Sequence, residues 1–412
     1  MSKIIKVSCI GLGGRGEVYL TNMSKQPHKY QIDSVCDIKK SKLDYFKKLF
    51  KLDESKLFNN ENEFLKKKRG DLLVISIQDQ DHVRVAIKAL KLGYDILLEK
   101  PISNDKEEIL ELLKMKKKYH HKIFICHVLR YAPAFKYVKE LLDKQTIGDL
   151  VLIDSIESVH YPHDAHSFVR GNWRNSNTTS PMILAKCCHD MDLMVWYTNS
   201  ACESLSSIGD IRFFKKECQP KGAKDRCLNC KYKNTCVYSA YKIYVTDKFW
   251  GRDYITDIRP VTDKIIINAL KTSPYGRCVF KCDNNVVDNE ITIGRMKNNI
   301  TFNLRMTAFT ANGGRIMKFY GTYGEIELNE IRGKIYIRIF GKKEKEVLIK
   351  NISKIYDTHG GGDTNLVNDL YYFIVGKDEG KTTLEKSIES HLMCFAAEES
   401  RLNKGKLTYI KH

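Results

Sequence analysis

A glycine-rich turn at the end of an apolar run constrains the fold of this 412-residue sequence more than any other stretch. Residues 4–12 are mostly apolar, which predicts a buried parallel strand, and Gly11, Gly13 and Gly16 have the G-x-G-x-x-G spacing. In such a turn the first glycine permits a tight bend and the second lets the backbone approach a pyrophosphate. The third lets the following helix pack against the strand, with its N-terminus facing the anion. The stretch therefore predicts a dinucleotide-binding βαβ unit.

An acidic residue after the next apolar strand strengthens this prediction. Residues 32–36 are mostly apolar and lead into Asp37, about twenty residues after the glycines, where a carboxylate binds the ribose 2′-hydroxyl. The alternative is an ordinary glycine turn with an incidental acid. Because Asp37 would repel a 2′-phosphate, we expect NAD rather than NADP, although Lys39 and Lys40 keep NADP possible.

The bulk composition excludes several classes of protein. The chain is long enough for two or three domains, has no apolar run of membrane-spanning length, and lacks a signal-peptide pattern at its N-terminus. The net charge is +19, but the basic runs at 66–69 and 116–118 lie beside acidic residues and have no interleaved aromatic residues. We therefore expect a cytoplasmic protein without a nucleic-acid or membrane partner, whose charge reflects a lysine-rich composition.

The pattern of elements divides the chain into two domains. Residues 1–127 alternate strand and helix, which predicts right-handed βαβ units in an α/β domain with a doubly wound parallel Rossmann sheet. Residues 128–412 contain longer strands separated by Gly and Asn turns, followed by amphipathic helices, which indicates an α+β domain with an open antiparallel sheet. We assign substrate binding to this second domain and expect a shared cleft.

Ligands of a doubly wound sheet bind at the carboxyl ends of its strands. The residues that follow the strands are therefore the candidates for cofactor binding. In addition to the three glycines and Asp37, they are Gly14, Arg15, Gln78, Asp79, His82, Glu99, Lys100 and Arg130.

The run Glu99-Lys100-Pro101 carries the clearest catalytic signal. A lysine at the carboxyl end of a buried strand, close to the nicotinamide, can donate a hydrogen bond to a substrate hydroxyl. The same ammonium group stabilises the alkoxide that develops as hydride leaves. The alternative is a solvated surface lysine.

Taken together, three features resemble the glucose–fructose oxidoreductase / inositol dehydrogenase family (Gfo/Idh/MocA). They are the glycine turn with Arg15, the Glu-Lys-Pro run at 99–101, and His189 with Asp192. The resemblance implies a Rossmann domain with an open antiparallel sheet domain, and oxidation of sugar or cyclitol hydroxyls with NAD(P). It also implies that the sheet domain mediates oligomerisation and that the protein is a homo-oligomer, either a dimer or a tetramer. It also implies that Lys100 is the catalytic lysine and that His189 takes the proton.

The sequence departs from the family pattern close to this histidine. Many members have an aspartate four residues before it, whereas this chain has Ala185, followed by Lys186. We expect Lys186 to act with His189 as an anchor for a substrate hydroxyl and to lower the pKa of the histidine. The alternative is a lysine on a helix surface.

Two further pairs are predicted to bind substrate. Trp173 offers an indole face for the C–H face of a sugar, and the guanidinium group of Arg174 can bond hydroxyls or carboxylates. His359 and Asp363 span three glycines and place two ionisable groups on one loop, which suits substrate binding or acid–base chemistry. The alternatives are a packed domain interface for the first pair and a flexible turn for the second.

Cysteines mark an insertion at about residues 215–240. Thirteen cysteines, an odd number, argue for reduced thiols. Four of them, Cys218, Cys227, Cys230 and Cys236, follow the pattern C-x8-C-x2-C-x5-C, which predicts a structural zinc ion. An iron–sulfur cluster or free thiols are the alternatives.

These features predict an NAD(H)-dependent oxidoreductase that oxidises or reduces a hydroxyl or ketone of a sugar, sugar derivative or cyclitol by hydride transfer. One alternative is a redox-neutral NAD-dependent glycosidase or lyase that acts through a transient keto-sugar, because a ketone acidifies the neighbouring C–H. Another is a non-enzymatic sensor that binds dinucleotide.

Overall fold

The computed structural model describes residues 3–352 and 359–411. Its first part alternates strands and helices. These elements are β1 (Ile5–Ile10), α1 (Gly14–Ser24), β2 (Tyr30–Cys36), α2 (Lys40–Phe50), β3 (Leu57–Phe58), α3 (Glu61–Phe64), β4 (Leu72–Ile75), α4 (His82–Lys91), β5 (Asp95–Leu98), α5 (Lys106–Tyr119) and β6 (Ile123–Ile125).

The six strands form one parallel sheet, as the sequence predicts, in the order β3-β2-β1-β4-β5-β6. Both of its faces are covered, because Leu72 and Val74 belong to one apolar cluster and Leu73 and Ile75 to another. The strand order reverses between β1 and β4, and in such sheets ligands bind in the crevice at this point.

The rest of the chain contains longer strands. In chain order the elements are α6 (Pro133–Asp143), β7 (Leu150–His160), α7 (Tyr161–Asp164), α8 (Met182–Ala185), α9 (Cys188–Thr198), β8 (Cys202–Asp210), α10 (Asp263–Thr272), β9 (Asn289–Met296), β10 (Thr301–Thr310), β11 (Gly314–Gly321), β12 (Gly324–Asn329), β13 (Lys334–Ile339), β14 (Lys345–Leu348), α11 (Ile349–Ile352), α12 (Gly362–Ile374), α13 (Leu384–Leu402) and β15 (Thr408–Tyr409).

The second sheet has nine strands in the order β14-β13-β12-β11-β7-β10-β9-β8-β15. The predicted antiparallel arrangement holds for its pairs except one, because β7 and β10 are parallel. A parallel pair needs a long crossover connection, and the chain through α9, β8 and β9 supplies one.

The C-terminal helices return to the first sheet. On α12, Leu366 and Leu370 share an apolar cluster with Ile5 and Tyr19, and the backbone N–H of Ile125 donates to the carbonyl of Thr382 at 2.7 Å. The predicted boundary between residues 1–127 and 128–412 therefore does not separate two independent cores, because α12 completes one face of the parallel sheet. No helix in the described part of the chain is long and apolar enough to cross a membrane.

Candidate active site

The glycine turn has the backbone geometry that its motif requires. Gly11 has φ +90°, and a Cβ atom there would lie 2.4 Å from the carbonyl oxygen of Ser76. A Cβ atom on Gly16 would lie 2.3 Å from the carbonyl oxygen of Gly11, so the helix packs too closely for a side chain. At Gly13, by contrast, nothing lies within 4 Å of a Cβ atom. This open space before the N-terminus of α1 fits a pyrophosphate.

Asp37 lies beside this turn, at the carboxyl end of β2. Its Oδ2 accepts the backbone N–H of Leu12 at 2.8 Å, and its Oδ1 accepts that of Lys39 at 2.9 Å. The two bonds fix the carboxylate next to the glycine turn, where a ribose hydroxyl of a bound dinucleotide would reach it.

Residues 250–260, which we call the covering segment, contact both features from the second half of the chain. A Cβ atom on Gly14 would lie 2.6 Å from Cε1 of Tyr254, so this glycine makes room for the tyrosine ring. The carboxylate of Asp257 lies 2.9 Å from Nζ of Lys39 and 3.6 Å from Nζ of Lys42. The sequence carries no local signal for this contact, because the two segments are far apart in the chain.

Arg15 joins α1 to the end of β5 and to α12. Its guanidinium donates to Glu99 at 2.7 Å and to Asp363 at 2.6 Å, and it also bonds the hydroxyl of Tyr19. Burial alone would raise the pKa of Glu99, but the charges of Arg15 and Lys100 hold it below its usual range. Arg15 and Glu99 therefore form an ion pair with each other, and this pair stabilises the edge of the sheet where the cofactor is predicted to bind.

Lys100 and His189 come together across the two halves of the chain. The ammonium group of Lys100 donates to the carbonyl oxygen of Ala185 at 2.9 Å, so the residue that replaces the family's aspartate orients the lysine through its backbone. Burial lowers the pKa of His189 well below its ordinary value, and the charge of Lys100 lowers it further. The lowered pKa favours the neutral imidazole of His189, and among the described residues its buried Nδ1 has no hydrogen-bond partner.

Three further histidines line up with His189. The ring centroid of His127 lies 5.7 Å from that of His189 and 5.6 Å from that of His391, while His359 lies 6.2 Å from His189 on the other side. His127 is buried, and within residues 3–352 and 359–411 neither of its ring nitrogens has a hydrogen-bond partner, although Nε2 lies 3.8 Å from Oδ1 of Asp192. Buried polar atoms without partners indicate a site that a ligand or water completes.

His359 and Asp363 form a pair, as their spacing on one loop suggests. The Nδ1 of His359 lies 2.8 Å from Oδ2 of the fully buried Asp363, and the histidine side chain keeps 30% exposure. Burial would raise the pKa of Asp363, but the hydrogen bond from His359 and the charge of Arg15 keep it well below its usual range. His359, which this carboxylate orients, therefore lies beside His189. The carboxylate belongs to Asp363 on α12, whereas the pattern of the resembling family has it at the position of Ala185.

Lys186 has a different neighbourhood from the predicted one. Its ammonium group lies 2.9 Å from the buried carboxylate of Glu157, which also pairs with Arg315 at 2.8 Å. The pKa of His189 is lowered mainly by burial and by the charge of Lys100, and Lys186 is not among the main causes of this shift. After burial, Lys186 instead has the largest effect on the pKa of His163, which it lowers.

Three residues that follow β4 were predicted to bind the cofactor, and their side chains are engaged to different extents. The buried Oε1 of Gln78 and Oδ1 of Asp79 have no hydrogen-bond partner, and the other oxygen of Asp79 accepts the hydroxyl of Ser180. His82 is buried, and its ring nitrogens lie 2.7 Å from the carbonyl of Pro101 and 3.3 Å from that of Ile77. Both ring nitrogens of His82 thus contact backbone carbonyl oxygens, so the imidazole holds the backbone and offers no free donor to a cofactor.

Arg130 also differs from its expected role at the cofactor. Its guanidinium makes two 2.7 Å bonds to the carboxylate of Asp192 and is buried with it. A third bond, at 3.2 Å, goes to the carbonyl oxygen of Lys381. The ion pair fastens the end of β6 to α9, because a buried carboxylate needs a compensating charge.

Trp173 and Arg174 are not brought to Lys100 and His189. Arg174 donates to both carboxylate oxygens of Asp283, at 2.7 and 3.0 Å, and Arg277 shares this carboxylate. Within residues 3–352 and 359–411, no hydrogen bond or ring contact joins either predicted sugar-binding residue to Lys100 or His189. Arg174 is therefore engaged with a carboxylate of its own predicted domain, 128–412.

The predicted zinc site is not supported. Cys227, Cys230 and Cys236 line one cavity together with Cys278, while Cys218 lies outside its lining. In the part of the chain that is described, no three His, Cys, Asp or Glu side chains converge as metal ligands.

Sequence reasoning missed several residues of the site. His163 lies close enough to Lys100 and Lys186 for both ammonium groups to lower its pKa, and its ring lies 5.2 Å from that of Trp250 in the covering segment. No motif marks either residue, since both reach the site through packing between distant segments.

Comparisons with known proteins agree with this geometry. Residues 5–127 match the family model described as oxidoreductase family, NAD-binding Rossmann fold. Residues 135–241 match that of the GFO/IDH/MocA C-terminal domain. Together these two matches cover more than half of the chain.

Individual relatives are distant. YteT of Bacillus subtilis strain 168 is 22% identical over 333 residues, which cover 77% of this chain and 75% of YteT. An inositol 2-dehydrogenase/D-chiro-inositol 3-dehydrogenase of Lactiplantibacillus plantarum is 22% identical over 48% of this chain, and the match spans 53% of that protein's length. A structure of scyllo-inositol dehydrogenase from Lactobacillus casei with NAD(H) and scyllo-inositol covers 99% of both chains, with a TM-score of 0.69 and 16% identity. This last likeness concerns the fold.

Proposed function

The chain belongs to the Gfo/Idh/MocA family of NAD-binding oxidoreductases, and on this premise we propose that it oxidises or reduces a hydroxyl or ketone of a sugar, sugar derivative or cyclitol. The observation that carries the proposal is the meeting of Lys100 and the neutral, unpaired His189 at the carboxyl edge of the parallel sheet. Lys100 follows β5 and the glycine turn follows β1, so both lie at the carboxyl edge of the parallel sheet.

The residues at the glycine turn fit a dinucleotide. The open space at Gly13 and the N–H groups at the start of α1 suit a pyrophosphate, and Asp37 suits the ribose. Gln78 and Asp79 offer buried oxygens without partners at the same edge. When bound there, the nicotinamide group supplies the hydride acceptor for the oxidation.

Lys100 and His189 divide the work at the reacting oxygen. The ammonium group of Lys100, oriented by the carbonyl of Ala185, donates a hydrogen bond to the substrate oxygen and stabilises the negative charge that develops on it. His189 is neutral because of burial and nearby positive charge, so its unpaired Nδ1 accepts the hydroxyl proton. Lys186, paired with Glu157, anchors a neighbouring hydroxyl.

The pair His359 and Asp363 gives that proton a way out. His359 lies 6.2 Å from His189 by ring centroid and is partly exposed, whereas His189 is buried. The carboxylate of Asp363 accepts a hydrogen bond from Nδ1 of His359 at 2.8 Å and so fixes the orientation of this imidazole. We assign to this pair the transfer of the proton from His189 towards solvent.

The substrate class rests on the relatives. Two of them are named inositol dehydrogenases, which favours a cyclitol or a sugar with a ring hydroxyl. The redox-neutral glycosidase alternative gains no support from the residues described above or from these names. The cytoplasmic location stays a prediction.

One assay with two readouts tests the proposed function. The purified protein is incubated with NAD and a panel of monosaccharides, cyclitols and aryl glycosides, and NADH absorbance and released aglycone are followed together. Sustained NADH formation with at least one free sugar or cyclitol supports the proposal. NAD-dependent aglycone release without net NADH would contradict it and favour the glycosidase.

A further inference from the structure

The covering segment meets the cofactor edge at two points. The ring of Tyr254 occupies the space above Gly14 in the phosphate-binding turn, and Asp257 pairs with Lys39 and Lys42 at the beginning of α2. The segment is thus in contact with the parts of the edge that hold the pyrophosphate and the adenine ribose in a dinucleotide-binding fold.

The cations at the ribose end are the ones that would recognise a 2′-phosphate. The backbone N–H of Lys39 donates to the carboxylate of Asp37, so the backbone of this lysine lies directly beside the acid that is predicted to bind the ribose. A positive side chain near this position accommodates the 2′-phosphate of NADP. Here the ammonium of Lys39 lies 2.9 Å from Asp257, and Lys42 shares the same carboxylate.

We propose that Asp257 is a second specificity-determining residue, which makes the site select NAD over NADP. The carboxylate neutralises Lys39 and Lys42, and it adds a negative charge at the end of the site where Asp37 already disfavours a 2′-phosphate. A 2′-hydroxyl carries no charge, so NAD is unaffected. This inference rests on the proposed function, since it requires that the edge bind a dinucleotide.

The test compares two acidic residues of the covering segment. D257N removes the carboxylate that pairs with the lysines, whereas D253N removes an exposed acid that forms no ion pair with any residue of 3–352 or 359–411. Dissociation constants for NAD and NADP are measured by calorimetry on the full chain. We expect D257N to bind NADP roughly tenfold more tightly, with NAD within about twofold, and D253N to behave as the wild type. Because Lys39 is more than half exposed, the gain should shrink from 50 to 500 mM salt.

The outcomes separate this inference from the proposed function. NAD binding with an unchanged NADP constant in D257N would overturn the inference and leave the function standing. An equal gain in D253N would also overturn it. Failure of the wild type to bind either dinucleotide would overturn the function and the inference together. If D257N does not fold, D257S provides the same comparison, and loss of the gain in K39A/D257N supports the role of Lys39.

Discussion

At the scale of single residues, the glycines of the turn divide into two kinds. Gly11 and Gly16 lack a side chain because backbone atoms stand 2.3–2.4 Å from where a Cβ atom would be, whereas Gly13 faces open space. The first kind serves the fold and the second serves the ligand. One motif therefore contains residues whose replacement has different consequences.

Substitution by alanine should separate these consequences. G11A combines φ +90° with a backbone clash, so we expect it to lose about 3 kcal/mol of unfolding free energy. G13A should stay within about 1 kcal/mol of the wild type, but its methyl group fills the phosphate space and should weaken NAD binding at least about tenfold. Urea unfolding and NAD titration measure the two effects. Wild-type NAD affinity in G13A would contradict the assignment.

The environment of His189 predicts the pH dependence of turnover. Burial and Lys100 lower its pKa, so the imidazole stays unprotonated, and able to accept a proton, below the ordinary histidine pKa of about 6.5. The acid limb of kcat for oxidation should therefore lie below pH 6.5, and H189Q should lose about a hundredfold or more in kcat. H28Q, at an exposed histidine, serves as the control. An acid limb at pH 7 would show that His189 is not the base.

Where a local pattern defines a residue, its position in the fold can be predicted from the sequence, while its role at the site stays a prediction. The positions of the glycines, of Asp37 and of Lys100 follow from their spacing to buried strands. The roles of Lys186 and Arg130 depend on Glu157 and Asp192, their partners across the fold, and sequence spacing gives no information about such pairs. Tyr254 and Asp257 were missed for the same reason.

At the scale of elements, α13 holds the turn that follows Lys100. The Nε2 of His391 accepts the N–H of Ile102 at 2.9 Å, and its Nδ1 donates to the carbonyl of Ser387 at 2.9 Å. Burial, followed by the nearby His127, lowers the pKa of His391 to about 3. Both ring nitrogens are engaged in the neutral form, so the helix and the turn are joined by an uncharged histidine.

This arrangement makes His391 a source of acid sensitivity. Below pH 6.5 the unfolded chain binds a proton at His391 that the folded chain excludes until about pH 3, which favours unfolding as the pH falls. Relative to H391Q, the wild type should lose about 1.3 kcal/mol of unfolding free energy between pH 7.5 and 5.5. Urea unfolding of both proteins at the two pH values measures this difference. Parallel stability curves would contradict a neutral buried His391.

The regular elements were predictable where the pattern was long. The amphipathic helices predicted near the end of residues 128–412 include α13, where apolar residues recur at helical spacing over nineteen residues. The two-residue strands β3 and β15 were missed, since so short a run has no periodicity. The parallel pairing of β7 with β10 was also missed, because pairing between distant strands leaves no local signal.

At the scale of the whole molecule, the second sheet exposes an apolar surface. Ile208 and Ile291 are cross-strand partners on β8 and β9, and Ile293 lies two residues further along; their exposures are 68%, 52% and 56%. Clustered exposed isoleucines are typical of an association surface. We propose that this face joins copies of the chain in the expected dimer or tetramer.

A charge placed in this surface should separate the copies. The wild type should have a native mass that is a multiple of 47.7 kDa, and I291E should shift it to a single chain at micromolar concentration. L110E, on the exposed side of α5, is the matched control and should keep the wild-type mass. Light scattering after size exclusion gives both masses. A monomeric wild type would contradict the proposed assembly.

In the proposed reaction, Lys100 acts on the reacting oxygen of the substrate, and the neighbouring dinucleotide binds without a contribution from Lys100. The most direct measurement compares the wild type with K100M, using NADH formation from the best compound of the sugar and cyclitol panel and NAD affinity in the same preparations. We predict that K100M loses turnover by roughly a thousandfold, while its NAD dissociation constant stays within about threefold of the wild type. Wild-type turnover in K100M, with NAD still bound, would contradict the account.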